Sequence, residues 1–332
     1  ENIQVTLIQV NAPYYPQWIE KFKGIRAFFR LIPYLYKLWQ ASHSVQIFHV
    51  MANSGWSWHL FSAPVIWIAY LRNKPVIINY RGGEAEAFLN KSIFWVRPSL
   101  KRVSAIIVPS AFLKHVFNQQ GFDVTIVPNI IDLDRFAAQT QEWNVPKIEN
   151  SPHIILTRNL ESIYDNATAI RAFSIVKKNF PNAKLSIAGS GPEKLMLEQL
   201  VDDLNLVDSV TFLGRVDNTA INDLYRQADV MINTSLIDNM PISILEALAC
   251  KVPVVSTNVG GIPFLVKHDE TALLVPPKNP GEIAEAIQRI LTNPEKSRKM
   301  AEAGYEMVQH YAWKNVRTRL MEIYERTLSH RF

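Results

Sequence analysis

The sequence predicts an α/β protein of open parallel sheets, and three observations lead there. One is the stretch from Asp229 to Gly261, which reads as a buried strand to Ser235, a polar turn over 236–241, a short helix from Ile242 to Ala249 and a second buried strand over Val252–Ser256, the pattern of a βαβ unit. Another is that the same alternation of strand and helix runs through both halves of the chain. The third is length: 332 residues suffice for two domains of roughly 150 residues, each with its own core.

In chain order, Asn2 to Val10 alternates weakly and reads as a strand with no element before it. Parallel sheets of this kind usually open with a strand and a substrate loop that are not found here, so the first domain is expected to be truncated at its N-terminus. Trp18 to Trp39 reads as a helix interrupted at Pro33, with Lys21, Lys23, Arg26, Arg30 and Lys37 set among Phe22, Phe28, Phe29, Tyr34, Tyr36 and Trp39. Strands follow at Gln46–Met51 and Lys74–Tyr80. Between them lies a helix over Trp56–Leu71, too short and too interrupted by Ser57, His59, Ser62 and Pro64 to span a membrane. Arg81-Gly82-Gly83-Glu84 is the turn after the second of these strands, where glycine lets backbone approach a ligand. Further strands are expected at Ala105–Pro109 and Val124–Pro128. Asp132 and Asp134 are spaced like ligands of a divalent cation, but they stand where the strand pattern gives way to a polar segment and are read as a domain exit.

The second half restarts with strands at His153–Thr157, Lys184–Ala188 and Val210–Leu213, separated by helices at Ala167–Phe180 and up to Leu204. Gly189 and Gly191 lack a third glycine at Lys194, so the dinucleotide fingerprint is absent. Expected boundaries are 1–137 for an N-terminal domain, 138–152 for a linker, 153–310 for a second domain and 311–332 for a C-terminal helix returning to the first.

Composition narrows the setting. At 48% hydrophobic and 20% charged residues, the chain is an ordinary globular one. Its single cysteine, Cys250, forms no internal disulfide and no thiolate metal site, and no secretory leader pattern is recognised, so a cytoplasmic location is expected, with the inner face of the cell membrane as an extension of it. Residues 1–102 hold 12 Lys and Arg against 4 Asp and Glu, a net +8 in a chain of net +5, which points to an anionic partner on the N-terminal part. Cations beside aromatic rings over 18–39 suit a peripheral membrane contact. The same residues also suit a helix with its rings in the core and its charges in water, and both readings stand. No nucleic-acid motif accompanies the segment, so nucleic acid is not an expected partner.

Ligands of open parallel sheets sit at the carboxyl ends of the strands, where the turn 236–241 falls. Pro241, the last residue of that turn, suits a first helical turn, and the amides near Ile242 and Ser243 then face an anion. Asp238 and Glu246 stand close to those amides, where carboxylates would accept hydrogen bonds from hydroxyls. A ligand with both sugar hydroxyls and phosphate satisfies both features. The plain alternative makes Asp238 a helix cap and Glu246 a solvated surface charge.

Phe212-Leu-Gly214-Arg-Val216, Leu224-Tyr225, Ala228-Asp229-Val230, the run from Asp238 to Glu246-Ala247, Pro253-Val-Val255, Gly260-Gly261 and Leu273-Leu-Val275 together resemble the retaining glycosyltransferases of family 4. Val127-Pro-Asn129 with Asp132 and Phe136 is similar to that family's exit from its first domain. The resemblance implies the GT-B fold, two facing Rossmann-like domains with parallel sheets, here with the first domain lacking its first strand. It implies a nucleotide-diphosphate sugar held by the second domain, a saccharide or lipid-linked acceptor held by the first, and a role in cell-surface polysaccharide synthesis. Neither cofactor nor metal is expected. By the resemblance, Glu246 holds the donor ribose and Asp238 faces the transferred sugar as the first carboxylate of a Glu-x7-Glu pair. Asn239, Met240, Pro241, Ile242 and Ser243 belong to the loop and helix start that meet sugar and phosphate, Arg158 binds the diphosphate, and Gly189 and Val216 lie on the donor side. Arg81, Gly82 and Gly83 fall on the acceptor or phosphate side.

The departures are specific. Asp238 replaces a glutamate, Tyr164-Asp165-Asn166 stand where a second diphosphate cation, a lysine, is expected, and Arg81 stands where a histidine is expected. They keep open a second function: a catalytically impaired nucleotide-sugar-binding or partner subunit of the same fold.

Overall fold

The computed structural model describes residues 3–10, 18, 22, 26–136, 151–217 and 219–329. The chain divides into two compact units, one of Glu1–Val127 with Thr318–Phe332 and one of Pro128–Arg317. The linker expected at 138–152 lies, up to residue 150, outside the described residues.

The first unit alternates α1 (Arg26–Ser44), β1 (Phe48–Ala52), α2 (Ala63–Leu71), β2 (Val76–Tyr80), α3 (Ala85–Leu100), β3 (Ala105–Val108), α4 (Ala111–Gln119) and β4 (Thr125–Ile126). Its four strands are parallel in the order β1-β2-β3-β4. β2 is buried at every position, as expected of a strand covered on both faces. A core of Val50, Ile78, Tyr80, Leu89, Val108 and Phe117 lies between the sheet and its helices.

Three expectations for this unit are corrected. Residues 3–9 form no strand: Val5 is 79% and Leu7 77% exposed, and an alternating segment stays a strand only when a neighbour completes its ladder and one face is covered. Pro33 does not interrupt α1. The helix runs through it because Tyr34 and Leu38 are anchored in the core, while Pro33 lies on the exposed side, where a carbonyl without its helical donor meets water. The segment 56–71 is not one α-helix: a π-helical turn over Trp58–Ser62 precedes α2 and buries Trp58. The part of the expected helix before Arg26 lies largely outside the described residues.

The second unit opens with the short helix α5 (Leu133–Phe136) and continues as β5 (His153–Leu156), α6 (Asn166–Asn179), β6 (Lys184–Ala188), α7 (Lys194–Asp203), β7 (Val210–Gly214), α8 (Ala220–Arg226), β8 (Val230–Asn233), α9 (Ile242–Ala249), β9 (Val254–Thr257), α10 (Ile262–Leu265), β10 (Leu273–Val275), α11 (Pro280–Thr292) and α12 (Pro294–Val308). A last helix, α13 (Trp313–Ser329), begins in this unit, and from Thr318 onward it groups with the first. Six parallel strands run in the order β10-β9-β8-β5-β6-β7. The sheet therefore grows outward in both directions from the β5–β8 pair, where Ile154 stands opposite Val230 and Ile155 opposite Met231. Alternate β5 residues feed two cores, Ile154 and Leu156 one, Ile155 the other, as strands covered on both faces require. The reversal leaves a crevice at the carboxyl ends of β5 and β8, the standard ligand position of such sheets.

Candidate donor site

That crevice collects the chemistry. Arg158 leaves the end of β5 and Asp238 lies in the turn after β8; they form an ion pair through Nη2 and Oδ2, each side chain 13% exposed. The guanidinium also lies 3.4 Å from Ser235 Oγ and stacks 4.1 Å from the centroid of the Tyr164 ring. Asp238 Oδ1 accepts the Met240 amide at 3.2 Å. Burial raises the Asp238 pKa against the opposing pull of Arg158 and of the Asn239 and Met240 amides. Asp238 is thus neither a helix cap nor a solvated charge. It holds the loop and the cation together.

Glu246 is likewise no solvated surface charge. On α9 its Oε2 accepts from the hydroxyl of the fully buried Tyr225 at 2.9 Å, and that hydroxyl accepts from Thr157 Oγ1 at 2.7 Å. Burial raises the Glu246 pKa, with the Tyr225 hydrogen bond and the charges of Arg135 and Arg158 pulling it down.

Two glycine pairs explain why the backbone holds this shape. A Cβ on Gly189 would strike the Arg158 carbonyl and one on Gly191 the Leu160 carbonyl, so the turn after β6 is tied to the chain after β5 and serves no dinucleotide fingerprint. On the other side Gly260, at φ +54°, and Gly261 press on the carbonyls of Asp238 and Asn239, and the Gly261 amide donates to Asp238 O at 2.8 Å. Asn129 Nδ2 donates to Met240 O at 2.7 Å, which fixes the loop from a third direction. Pro241 is the N-cap of α9, with ψ 121°, rather than part of its first turn; the helix opens at Ile242. The Ile244 amide turns back onto Pro241 O at 3.2 Å, and the amides of Ile242 and Ser243 precede any helical acceptor.

Thr157, Arg158, Asn159, Glu161, Ala188, Gly189, Ser190, Arg215, Val216, Ile221 and Glu246 enclose a pocket of about 520 Å³. Four expected residues, Arg158, Gly189, Val216 and Glu246, share it, and Asp238 reaches it through Arg158. Asn239 and Met240 of the loop and Ser243 of α9 are buried, whereas Ile242 is exposed. Arg158 Nε and Ser243 Oγ are buried without a hydrogen-bond partner among the described residues. Arg215 was not read from the sequence as a site residue. It supplies a second cation to the pocket, and its only signal was its place in a turn at the carboxyl edge of a strand. Tyr164, standing where the missing lysine is expected, contributes its ring to Arg158 rather than a charge.

In the first unit, Arg81 Nε donates to Asn79 Oδ1 at 2.8 Å, Asn79 Nδ2 contacts His49 Nε2 at 3.1 Å, and His49 Nδ1 meets the Tyr324 hydroxyl at 2.5 Å. Gly82 fits where a side chain would strike Ser54. Gly83 follows it, half-buried, at the end of the same strand. Asp132 Oδ1 accepts the Arg135 amide at 3.2 Å, the role of a turn residue, and no cluster of metal-ligating side chains occurs among the described residues.

Two α/β units with parallel sheets, the second reversing at a polar crevice, define the GT-B class. Residues 138–307 match the family of glycosyl transferases group 1, and residues 6–135 match glycosyltransferase family 4. The chain belongs to the glycosyl transferases group 1 family. It is 35% identical over 145 residues to an uncharacterized glycosyltransferase of Methanocaldococcus jannaschii, covering 43% of this chain and 37% of that protein. It is 25% identical over 264 residues to the phosphatidyl-myo-inositol mannosyltransferase of Mycobacterium leprae, covering 78% of this chain and 69% of the relative. Among solved structures it shares the fold of Anabaena HepE in complex with UDP-glucose, with a TM-score of 0.74 at 19% identity, covering 88% of this chain and 82% of HepE.

Proposed function

We propose that the chain is a retaining, metal-independent glycosyltransferase that moves a sugar from a nucleotide-diphosphate sugar to a saccharide or lipid-linked acceptor during cell-surface polysaccharide synthesis. One observation carries the reading: Arg158, Arg215, Gly189, Val216 and Glu246 surround one pocket at the sheet's reversal point, beside the opening of α9. In it, Glu246 accepts from the donor ribose and Asp238 faces the transferred sugar. The diphosphate lies between the Arg158 and Arg215 guanidinium groups and the first amides of α9, which meet its charge without a metal ion.

As the bond between the anomeric carbon and the phosphate oxygen breaks, its electron pair goes to the departing diphosphate. The acceptor oxygen bonds to the same face of the anomeric carbon, and its proton passes to the leaving phosphate. Fixed cations and amides aimed at the growing phosphate charge lower the barrier by electrostatics. Arg81, with Gly82 and Gly83, holds the acceptor or its phosphate. The similarity to a phosphatidylinositol-modifying mannosyltransferase supports a lipid-linked acceptor. A lipid-linked acceptor places the chain at the cytoplasmic face of a membrane, in contact through the segment 18–39.

A second reading, a nucleotide-sugar-binding subunit without transfer, is favoured by the Arg158–Asp238 pair, which engages the diphosphate cation until a donor displaces it. Calorimetry and transfer assays with a panel of nucleotide sugars separate the two. Binding with transfer or donor hydrolysis supports the enzyme, binding alone the subunit, and no binding overturns both.

A further inference from the structure

Residues 21–122 contain 13 Lys and Arg but only two acidic residues, Glu84 and Glu86. The two acidic residues and four of the cations fall at opposite edges of the sheet. Glu84 and Glu86 stand at the start of α3, on the carboxyl edge of the sheet, while Arg72, Lys74, Lys101 and Arg102 follow the C-terminal ends of α2 and α3, at the opposite edge. There the helix dipoles also favour cations.

The helices α1, α2 and α3 also expose large apolar side chains. On α1, Phe29, Ile32, Tyr36 and Trp39 recur at helical spacing opposite the buried Tyr34 and Leu38, with Ile32 66% and Tyr36 62% exposed. α2 exposes Trp67, Tyr70 and Leu71, and α3 exposes Phe94 and Trp95, the latter 71%. These stripes are joined through cations. The Arg72 guanidinium lies 5.1 Å from the Trp39 ring, Arg102 lies 4.2 Å from Trp67 and 5.0 Å from Tyr70, and Trp67 Nε1 donates to Ser99 Oγ of α3 at 3.1 Å.

We propose that this face of α1, α2 and α3 docks on an anionic phospholipid surface, with Tyr36, Trp39, Trp67, Tyr70 and Trp95 at headgroup depth and Arg72 and Arg102 on lipid phosphates. Aromatic rings that carry cations on their faces suit that depth, where one side is apolar and the other charged. α1 buries Tyr34 and Leu38 on one side and exposes Tyr36 and Trp39 on the other, a geometry compatible with either reading of the cationic aromatic segment. No helix among the described residues is long and apolar enough to cross a membrane, so the contact is peripheral. The inference deepens the membrane part of the proposed function and rests on it.

Co-sedimentation of the full chain with vesicles of phosphatidylcholine and phosphatidylglycerol in equal parts, against phosphatidylcholine alone, tests it. The expected result is binding to the anionic vesicles only. It is weakened at least about thirtyfold by Arg72→Glu with Arg102→Glu, and weakened also at high salt by Tyr36→Ser with Trp95→Ser. Nucleotide-sugar binding, followed by calorimetry, stays unchanged in both variants and shows that they fold. If a charge-reversed variant does not fold, Arg72→Gln with Arg102→Gln replaces it and is expected to weaken binding by a smaller factor. Wild-type chain that ignores anionic vesicles, or variants that bind them like wild type, overturn the proposal. A dimer that the same substitutions dissociate in sedimentation velocity also overturns it, by assigning the face to a second copy. Loss of donor binding with vesicle binding intact counts against the donor reading and leaves the docking face standing.

Discussion

The two sheets end in loops of different character. In the second unit the strand order reverses between β5 and β8, and the crevice is filled by ionisable groups held under burial: Asp238 against Arg158, Glu246 on Tyr225. In the first, the four strands progress one way, and the edge near Arg81 is braced by neutral groups, Asn79, His49 and Tyr324. Burial drives both His49 and the second unit's carboxylates toward their uncharged forms. For His49, the nearby Arg81 adds to that push and lowers its pKa to about 4. For Asp238 and Glu246, adjacent donors oppose it without cancelling it, and both pKa values stay raised. Charge held under tension suits binding and catalysis, and charge removed suits a scaffold.

The comparison breaks most readily at Arg158. Arg158→Ala should lower sugar transfer roughly a hundredfold or more if Arg158 donates to the leaving phosphate as proposed, and it leaves Asp238 buried without its cation; unchanged transfer would refute the assignment. Gly261→Ala should cost about 2 kcal/mol in denaturant unfolding, since its Cβ meets the Asn239 carbonyl, and a variant as stable as wild type would show that the loop yields.

His49 sharpens the contrast through pH. With its pKa lowered from 6.5 to about 4, the unfolded chain takes up the proton first. Its stabilising contribution is therefore whole above pH 6.5 and declines as pH falls toward about 4. In His49→Gln, stability should lose about 3 kcal/mol of its variation across the window while donor affinity stays unchanged; an equally steep slope would place the titration elsewhere. Smallest is Glu246→Gln, which keeps an acceptor for Tyr225 and should weaken donor binding about tenfold in calorimetry. Because burial raises the Glu246 pKa above its ordinary 4.5, wild-type donor affinity should begin to fall above that pH on acidification. The variant should lack that acid limb.

Much of this was legible as pattern. The stretch from 229 to 261 named its strands, its turn and the start of its helix to within a residue or two, because strands covered on both faces must be continuously apolar and the polar turn between them has nowhere to go but the sheet's edge. Residues 3–9 could not be placed that way, since whether an alternating segment becomes a strand depends on a neighbour that its own residues do not specify. Pro33 misled for a related reason: local propensity disfavours it, and anchoring of Tyr34 and Leu38 overrides the propensity.

By itself, then, the chain determined that it is α/β with parallel sheets, and which carboxylates and cation lie near a strand-end turn. Only the tertiary structure decided that Arg158 closes on Asp238, that Glu246 hangs from Tyr225, and that Arg215 joins the same pocket. Periodicity reports which face of an element is buried. It carries no information about which distant loops meet, and those meetings are set by the order of strands in the sheet and by glycines that let one backbone press against another.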